Sequence, residues 1–504
     1  MKNNDNTKKN IIFATLTNNL KTMKRQLNIR EEAARCLFCQ DAPCTKACVT
    51  GDPARAIRAI RFDNADLAGQ WVADCNDADL QRAEEACIHY DRPIRIKELL
   101  AACGEPAISH EKKPSLTIDF CGIHCENPFF LASSAICTNY EMVARALEAG
   151  WAGVFYKTIC MQEIREVSPR FDAVGKPFAG FRNMEQLSEN PVDMDFDILH
   201  RLKENYPSKI IVASIMGQTE EEWIELAKMA EKAGVDAIEL NFSCPQMRLT
   251  GMGSDVGQNP ELVTFYTAYV KRAVNIPVIP KMTPNITHIT EPAMGAFFAG
   301  ANAISAINTI KSVTLNEEVK VSDKFAISGY SGRAVKPIAL RYIAQMAKSP
   351  IIKNVEFSGI GGIETWHDAL EFIQLGCSNV QICTAVMEYG YRIIDDLVLG
   401  LQNYMAKRGV EHLSDLVGEL LDNFVTPGEL DRDTVVFPKI DRERCIGCGR
   451  CQISCEDGGH QAIMFDLTTR QPRIVGTKCV GCHLCRLVCP TGAIGLTKRI
   501  PKKG

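Results

Sequence analysis

Residues 229–245 read Met-Ala-Glu-Lys-Ala-Gly-Val-Asp-Ala-Ile-Glu-Leu-Asn-Phe-Ser-Cys-Pro. The opening residues close an amphipathic helical stretch, and Gly234 suits the left-handed position that ends a helix. Ala237–Cys244 is then an apolar run of strand length. Polar groups gather where that run stops, at Asn241, Ser243 and Cys244. The same order recurs along the chain: LEAG precedes Trp151, FFAG precedes Ala301, and IQLG precedes Cys377. Strand-like runs fall at Phe129–Ala135, Val154–Ile159, Ile210–Met216, Ala237–Cys244, Val278–Pro284, Ala303–Thr309, Val355–Gly361 and Asn379–Ala385. Strand alternating with helix gives a parallel sheet. Eight strands in about 270 residues match an α/β fold of the closed (β/α)8 TIM-barrel type; an open doubly wound sheet is the alternative.

Cysteine spacing defines the flanks. Near the C-terminus, Cys445-x2-Cys448-x2-Cys451-x3-Cys455 is followed by Cys479-x2-Cys482-x2-Cys485-x3-Cys489-Pro490. This is the spacing of a two-cluster ferredoxin-like domain, in which the fourth cysteine of each run ligates the other cluster. One [4Fe–4S] cluster is expected on Cys445, Cys448, Cys451 and Cys489, and a second on Cys479, Cys482, Cys485 and Cys455. Zinc prefers two separated pairs of ligands. Near the N-terminus, Cys36-x2-Cys39-x4-Cys44-x3-Cys48 precedes Cys75 and Cys87. That spacing suits a cluster, with a structural zinc as the alternative. Cys103, Cys121, Cys125, Cys137, Cys160 and Cys377 have no partner spacing and are read as core.

Clusters deliver electrons singly, whereas most organic reductions take two, and flavin is the usual converter. Barrels bind phosphate at the loops after strands seven and eight. Here these are Ser358–Gly362 and Cys383–Ala385, whose glycines let backbone N–H groups approach closely. FMN fits such a site; a dinucleotide would want a Rossmann unit. The C-terminal strand ends carry Ser133, Lys157, Cys244, Lys281, Asn308 with Thr309, Gly361 with Gly362, and Cys383 with Thr384. Lys157 and Lys281 are placed to hold the anionic edge of a reduced flavin. Cys244, with an ordinary pKa of about 8.5, stays protonated at neutral pH and suits a general acid; a small buried thiol is the equal alternative.

The 504 residues are 46% hydrophobic and 23% charged, with a net charge of −4 and no basic stripe, so no nucleic-acid partner is expected. The Lys-rich start, Met1–Lys9, reads as a solvated tail, and the apolar run Ile11–Thr15 is too short for a secretory signal. The most apolar stretch, Ala293–Ile310, divides into a helix and a strand, so no membrane span is expected. A cytoplasmic chain keeps its thiols reduced, so the 22 cysteines are not a disulfide framework. The expected plan is a small N-terminal helical iron–sulfur domain (25–108), the barrel (115–405), a linker (406–434) containing Pro427 and Gly428, and the ferredoxin-like domain (435–500).

Several phrases resemble the dihydropyrimidine dehydrogenase family, and in particular its bacterial FMN and iron–sulfur subunit, over about 115–500. They are LASSA (131–135), YKTI (156–159), FRNMEQLS (181–188), NFSCP (241–245), KMTPNIT (281–287), INTI (307–310), GGI (361–363) and QICTA (381–385). The resemblance implies FMN contacts at Ser133, Lys157, Lys281, Gly332, Gly361, Gly362, Ile363, Cys383 and Thr384. It implies pyrimidine contacts at Asn183, Glu185, Asn241, Ser243, Asn308 and Thr309, and it makes Cys244 the catalytic acid. Asparagine amides both donate and accept, which suits the uracil edge, and Glu185 can accept from a ring N–H. The loop Gln246–Gly257 is expected to close over the substrate.

RCLFCQDAPCTKAC (35–48) and CIHYDRPIRI (87–96) resemble the cluster-bearing domain that opens the long eukaryotic enzyme of the family. That resemblance implies a further [4Fe–4S] cluster on Cys36, Cys39, Cys44 and Cys87. For a second one, only Cys48 and Cys75 are found. No GxGxxG fingerprint follows, so FAD and NAD(P)H are expected on a partner flavoprotein subunit. The implied activity is NAD(P)H-dependent reduction of uracil or thymine to the 5,6-dihydropyrimidine, by hydride transfer from FMN and protonation by Cys244. Dihydroorotate or another heterocycle as substrate, or a pure electron-relay role, are the alternatives. A homo- or hetero-oligomer is expected, with no interface identified.

Overall fold

The computed structural model describes residues 28–102, 113–175, 178–245, 247, 251–352 and 355–502. The N-terminal tail, Cys103 and part of the loop after Cys244 lie outside the described residues.

Eight parallel strands close into a barrel. They are β1 (Phe129–Leu131), β2 (Gly153–Phe155), β3 (Ile210–Ile215), β4 (Ala237–Asn241), β5 (Val278–Lys281), β6 (Ala303–Ala306), β7 (Glu356–Ile360) and β8 (Cys377–Ile382). Each pairs with the next in sequence, and β8 pairs with β1 through Val380–Phe129 and Gln381–Phe130, so the closed barrel holds and the open sheet does not. The punctuating glycines act as expected. Gly150 and Gly234 cap their helices at φ of 111° and 83°, a region that costs an L side chain energy. Ala293–Ile310 divides between the helix Thr290–Phe298 and strand β6.

The strands are shorter than their apolar runs. β1 stops at Leu131, β2 at Phe155 and β6 at Ala306, so Ser133, Lys157 and Asn308 stand beyond the ladder, on the rim. Loop insertions after β2 and β6 build a four-stranded antiparallel sheet, in the order Ile310–Ser312, Ser328–Ser331, Gly180–Asn183, Phe171–Val174. The sequence reading lacked this sheet because each strand is only three or four residues long.

The barrel strands bury polar side chains among the apolar ones: Ser214, Glu239, Ser305, Ser358, Asn379 and Gln381. Cys125, Cys137, Cys160 and Cys377 are buried, as expected of core thiols, while Cys121 is half-buried. Residues 36–96 belong to the same compact unit as the barrel instead of standing as a separate domain. The cause is the helix Pro53–Arg61, started by proline and capped by Asp52. It sends Arg58 to Asp396 at 2.6 Å and Arg61 to Glu364 at 2.6 Å, and Phe62 behind it joins the barrel core.

The other compact unit contains residues 425–502. Two short helices begin within the cysteine runs: Arg450–Gly458 carries Cys451 and Cys455, and Leu484–Leu487 carries Cys485. Antiparallel pairs Pro438–Ile440 with Ile494–Leu496, and Ile463–Asp466 with Gln471–Ile474, brace them. Gly449 and His483 occupy equivalent places before the two helices, both left-handed, at φ of 77° and 64°. Among the described residues no helix is long and apolar enough to cross a membrane.

Candidate active site and thiol cavities

A cavity of about 1130 Å³ opens at the C-terminal end of the barrel. Ser133, Lys157, Lys281, Gly332, Gly361, Gly362, Ile363, Cys383 and Thr384 all line it. So do Asn183, Glu185, Asn241, Cys244, Asn308 and Thr309. Ser243 does not line it; it is fully buried beneath and acts through its neighbours.

Those neighbours form a connected polar floor. The Ser243 hydroxyl donates to Asn241 Oδ1 at 2.9 Å, and Asn308 Nδ2 donates to Ser243 Oγ at 2.8 Å. Asn241 Nδ2 donates to Thr158 Oγ1 at 2.9 Å, and that hydroxyl also meets Ser133 and Ser214. The Thr309 amide N–H donates to Asn308 Oδ1 at 2.7 Å. Each amide is thereby held in one orientation before any ligand arrives. Gly329, on the antiparallel sheet, leaves room where a Cβ would meet Thr309 Oγ1 at 2.5 Å. This brings Thr309 and Asn183 to the same corner.

Both lysines are buried and paired. Lys157 Nζ lies 2.8 Å from Glu185 Oε2, and Arg170 reaches the other Glu185 oxygen at 3.0 Å. Lys281 Nζ lies 3.3 Å from Glu239 Oε1. Cys244 is 5% exposed and lines the cavity beside Pro245. Burial pushes the Cys383 thiol above its ordinary range, against a hydrogen bond from Ser134 that pulls it down.

The chemistry of this lining fits FMN. Gly332, Gly361 and Gly362 are held at φ of 89°, 125° and 75°, with backbone N–H groups unmasked by any side chain. The buried cations Lys157 and Lys281 line the same cavity. Gln381 also lines it, and the buried Gln381 Oε1 has no partner.

Glu239, Thr158, Gln381 and Arg170 escaped the sequence reading. A signal existed for two of them: Glu239 is a carboxylate inside the apolar run Ala-Ile-Glu-Leu, and Gln381 closes a strand otherwise buried throughout. A charged or amide group in a buried strand has to have a partner.

Three further cavities are lined by cysteine. Cys445, Cys448, Cys451 and Cys489 surround about 350 Å³, and Cys455, Cys479, Cys482 and Cys485 about 340 Å³. The crossover of the fourth cysteines is therefore present. Cys36, Cys39, Cys44 and Cys87 surround a cavity of about 390 Å³. One amide N–H in each site points at the late cysteine: Ala493 N–H to Cys489 Sγ at 3.3 Å, Ala462 N–H to Cys455 Sγ at 3.3 Å, and Ile94 N–H to Cys87 Sγ at 3.4 Å. Burial, with the neighbouring thiolates Cys44, Cys39 and Cys87 adding to it, pushes the Cys36 thiol up to about 12. Cys48 and Cys75 stand apart from that set, sulfur to sulfur at 3.0 Å. Among the described residues no three Cys, His, Asp or Glu side chains converge on a single metal ion.

Two family models match the chain. Residues 115–405 match dihydroorotate dehydrogenase, and residues 438–496 match the 4Fe–4S dicluster domain. The chain is 50% identical over 398 residues to the NAD-dependent dihydropyrimidine dehydrogenase subunit PreA of Escherichia coli K12, covering 77% of this chain and 97% of that one. It is 37% identical over 341 residues to the chloroplastic dihydropyrimidine dehydrogenase (NADP(+)) of Arabidopsis thaliana, covering 64% of this chain and 80% of that one. Among solved structures, a dihydroorotate dehydrogenase from Eimeria tenella in complex with ferulenol superposes with a TM-score of 0.52. It is 18% identical and covers 62% of this chain and 90% of that one, which supports the fold. Neither family model reaches the N-terminal thiol cavity.

Proposed function

We propose, from the premise that the chain belongs to the dihydroorotate dehydrogenase family and carries a 4Fe–4S dicluster domain, that it is the catalytic subunit of a dihydropyrimidine dehydrogenase. The single observation that carries this reading is the floor Asn241–Ser243–Asn308–Thr309 with Asn183 beside it. It presents amide and hydroxyl groups, matching a ring edge of alternating carbonyls and N–H groups. The relatives named dihydropyrimidine dehydrogenase support the same choice.

FMN would be held by the Gly361–Ile363 and Cys383–Thr384 loops, Gly332 and Ser133, with Lys157 and Lys281 at its ring. The chemistry supplied by a bound flavin is delivery of a hydride to C6 of the pyrimidine. Cys244 Sγ carries the proton that goes to C5. The ordered amides orient the ring, and Glu185 keeps Lys157 in place while accepting from a ring N–H through its remaining lone pairs. Burial of Cys244, Asn241, Lys157 and Lys281 limits the water at the transfer.

Iron–sulfur clusters held by the thiols of the cysteine-lined cavities would supply single electrons, drawn from a partner subunit that would carry FAD and bind NAD(P)H. The dicluster sites are those of the C-terminal unit. The N-terminal cavity matches them in size, thiol number and N–H···S hydrogen bond, which supports a third [4Fe–4S] cluster on Cys36, Cys39, Cys44 and Cys87. For dihydroorotate the site would need a cation free to meet the ring carboxylate. Lys157, Lys281 and Arg170 are each already paired with a carboxylate, which favours the uncharged uracil or thymine.

Stopped-flow mixing of the anaerobically reduced protein with uracil, thymine or orotate tests the reading. Flavin reoxidation by uracil or thymine, and not by orotate, is the expected result. Reoxidation by orotate alone would replace the substrate assignment, and none by any of the three would favour a relay role.

A further inference from the structure

The helix Pro53–Arg61 brings three arginines to the barrel, and each finds a carboxylate there. Arg55 and Arg58 meet Asp395 at 3.3 Å each, Arg58 also meets Asp396 at 2.6 Å, and Arg61 meets Glu364 at 2.6 Å. A fourth arginine in the same contact, Arg392, comes from the barrel side and has no carboxylate. Its Nε donates to the Tyr389 carbonyl at 3.1 Å, and its Nη2 donates to the Phe38 carbonyl at 2.5 Å. It is half-buried, so water does not fully solvate it. A guanidinium placed this way is unfavourable unless negative charge stands nearby.

Part of that charge lies on either side of Phe38. Cys36 and Cys39 flank it, and both act electrostatically on Arg392, together with the Asp396 carboxylate and against Arg58. Phe38 itself is pinned. Its backbone is left-handed at φ of 50°, and its ring packs edge-on against Tyr389 with centroids 5.7 Å apart. The loop between two thiols of the N-terminal cavity is thus fastened to the barrel by one ring contact and one charged hydrogen bond. The arginine that makes the bond is held by two backbone carbonyls and, among the described residues, by no carboxylate at ion-pair distance.

We propose that Arg392 is the counter-charge of the N-terminal iron–sulfur site: it positions the Cys36–Cys39 loop and raises the reduction potential of the cluster there. The proposal rests on the reading that Cys36, Cys39, Cys44 and Cys87 hold a [4Fe–4S] cluster. A cluster on four thiolates is net negative, and one-electron reduction adds one negative charge. A fixed cation at its edge favours the reduced form, as net charge and hydrogen bonding do at cluster sites generally. The charge is permanent at working pH, since guanidinium does not deprotonate there.

The test is anaerobic redox titration followed by EPR, on the full chain, of wild type, Arg392→Gln and Arg392→Lys. Iron and acid-labile sulfide are measured on the same samples. In Arg392→Gln, reduction of the N-terminal cluster should become about tenfold less favourable, a fall of about 59 mV for one electron. The two C-terminal clusters should keep their potentials. Arg392→Lys keeps the charge and loses the planar fork, and should stay within about threefold of wild type. An unchanged potential in Arg392→Gln at full iron content overturns the proposal, as does an equal shift in both variants. If Arg392→Gln loses the N-terminal cluster, retention by Arg392→Lys supports the charge role and loss from both overturns it. Iron for only two clusters in wild type, with no third EPR signal, would instead remove the N-terminal cluster reading itself.

Discussion

Lys281 Nζ lies 3.3 Å from Glu239 Oε1 inside the barrel, and Glu239 is fully buried. The same carboxylate accepts from Ser214 at 3.1 Å and from Gln381 at 3.4 Å. The lysine that would meet the flavin is therefore held by a buried anion that does not itself line the cavity. Glu239→Gln should leave a buried ammonium without its counter-charge. Breaking such a pair costs about 3–5 kcal/mol. Thermal unfolding should show a lower midpoint, and gel filtration should show FMN lost more readily than from wild type. A midpoint and flavin content equal to wild type would show that the pair positions nothing.

Asn308 Nδ2 donates to Ser243 at 2.8 Å while Oδ1 holds the Thr309 amide. Asn308→Ala removes an oriented amide from the floor. Loss of one hydrogen-bonding group of this kind costs about 1–2 kcal/mol, roughly tenfold in kcat/KM. Steady-state kinetics with uracil should show most of this in KM. An unaltered KM would take Asn308 out of the pyrimidine contacts.

Cys137 is fully buried, and burial pushes its thiol up to about 12. The unfolded value is about 8.5. Between these two values the folded chain binds the proton and the unfolded chain does not, so stability is fully present below about pH 8.5 and is lost as pH rises toward 12. Each such thiol contributes a slope of about 1.4 kcal/mol per pH unit in that window. Thermal midpoints measured between pH 7 and 10.5 should fall on the alkaline side, and less steeply in Cys137→Ala. Equal slopes would mean the thiol is not the source.

Cys87 completes the N-terminal thiol cavity, as Cys489 completes the C-terminal one with Cys445, Cys448 and Cys451. Cys87→Ala should lower bound iron by about four atoms per chain and leave the dicluster EPR signals in place. Cys489→Ala should instead disturb the cluster of the first C-terminal run. Full iron in Cys87→Ala would argue against a cluster there.

The barrel was legible because its evidence is local. A helix closed by glycine and followed by an apolar run repeats around it, as at Gly150–Phe155 and Gly234–Asn241. The rim was legible for a related reason: parallel strands put their chemistry at one end, so Lys157, Cys244 and Asn308 could be placed by where the apolar runs stopped. What was not legible depends on residues far apart in sequence. Arg55, Arg58 and Arg61 carry no local signal of their role, because their partners Asp395, Asp396 and Glu364 lie some 300 residues away. The antiparallel sheet at Gly180–Asn183 and Ser328–Ser331 was hidden the same way, since each short strand is specified only by the other.

The central claim is that this barrel reduces a pyrimidine with Cys244 as the acid. The most direct measurement is anaerobic turnover of the purified, FMN- and iron-loaded chain with a chemical reductant and uracil, with dihydrouracil followed by mass spectrometry, beside Cys244→Ala. Dihydrouracil is expected from wild type, with loss of most turnover in Cys244→Ala while its FMN is retained; a general acid contributes about 100- to 10,000-fold. Equal dihydrouracil from both proteins, or none from loaded wild type, would contradict it.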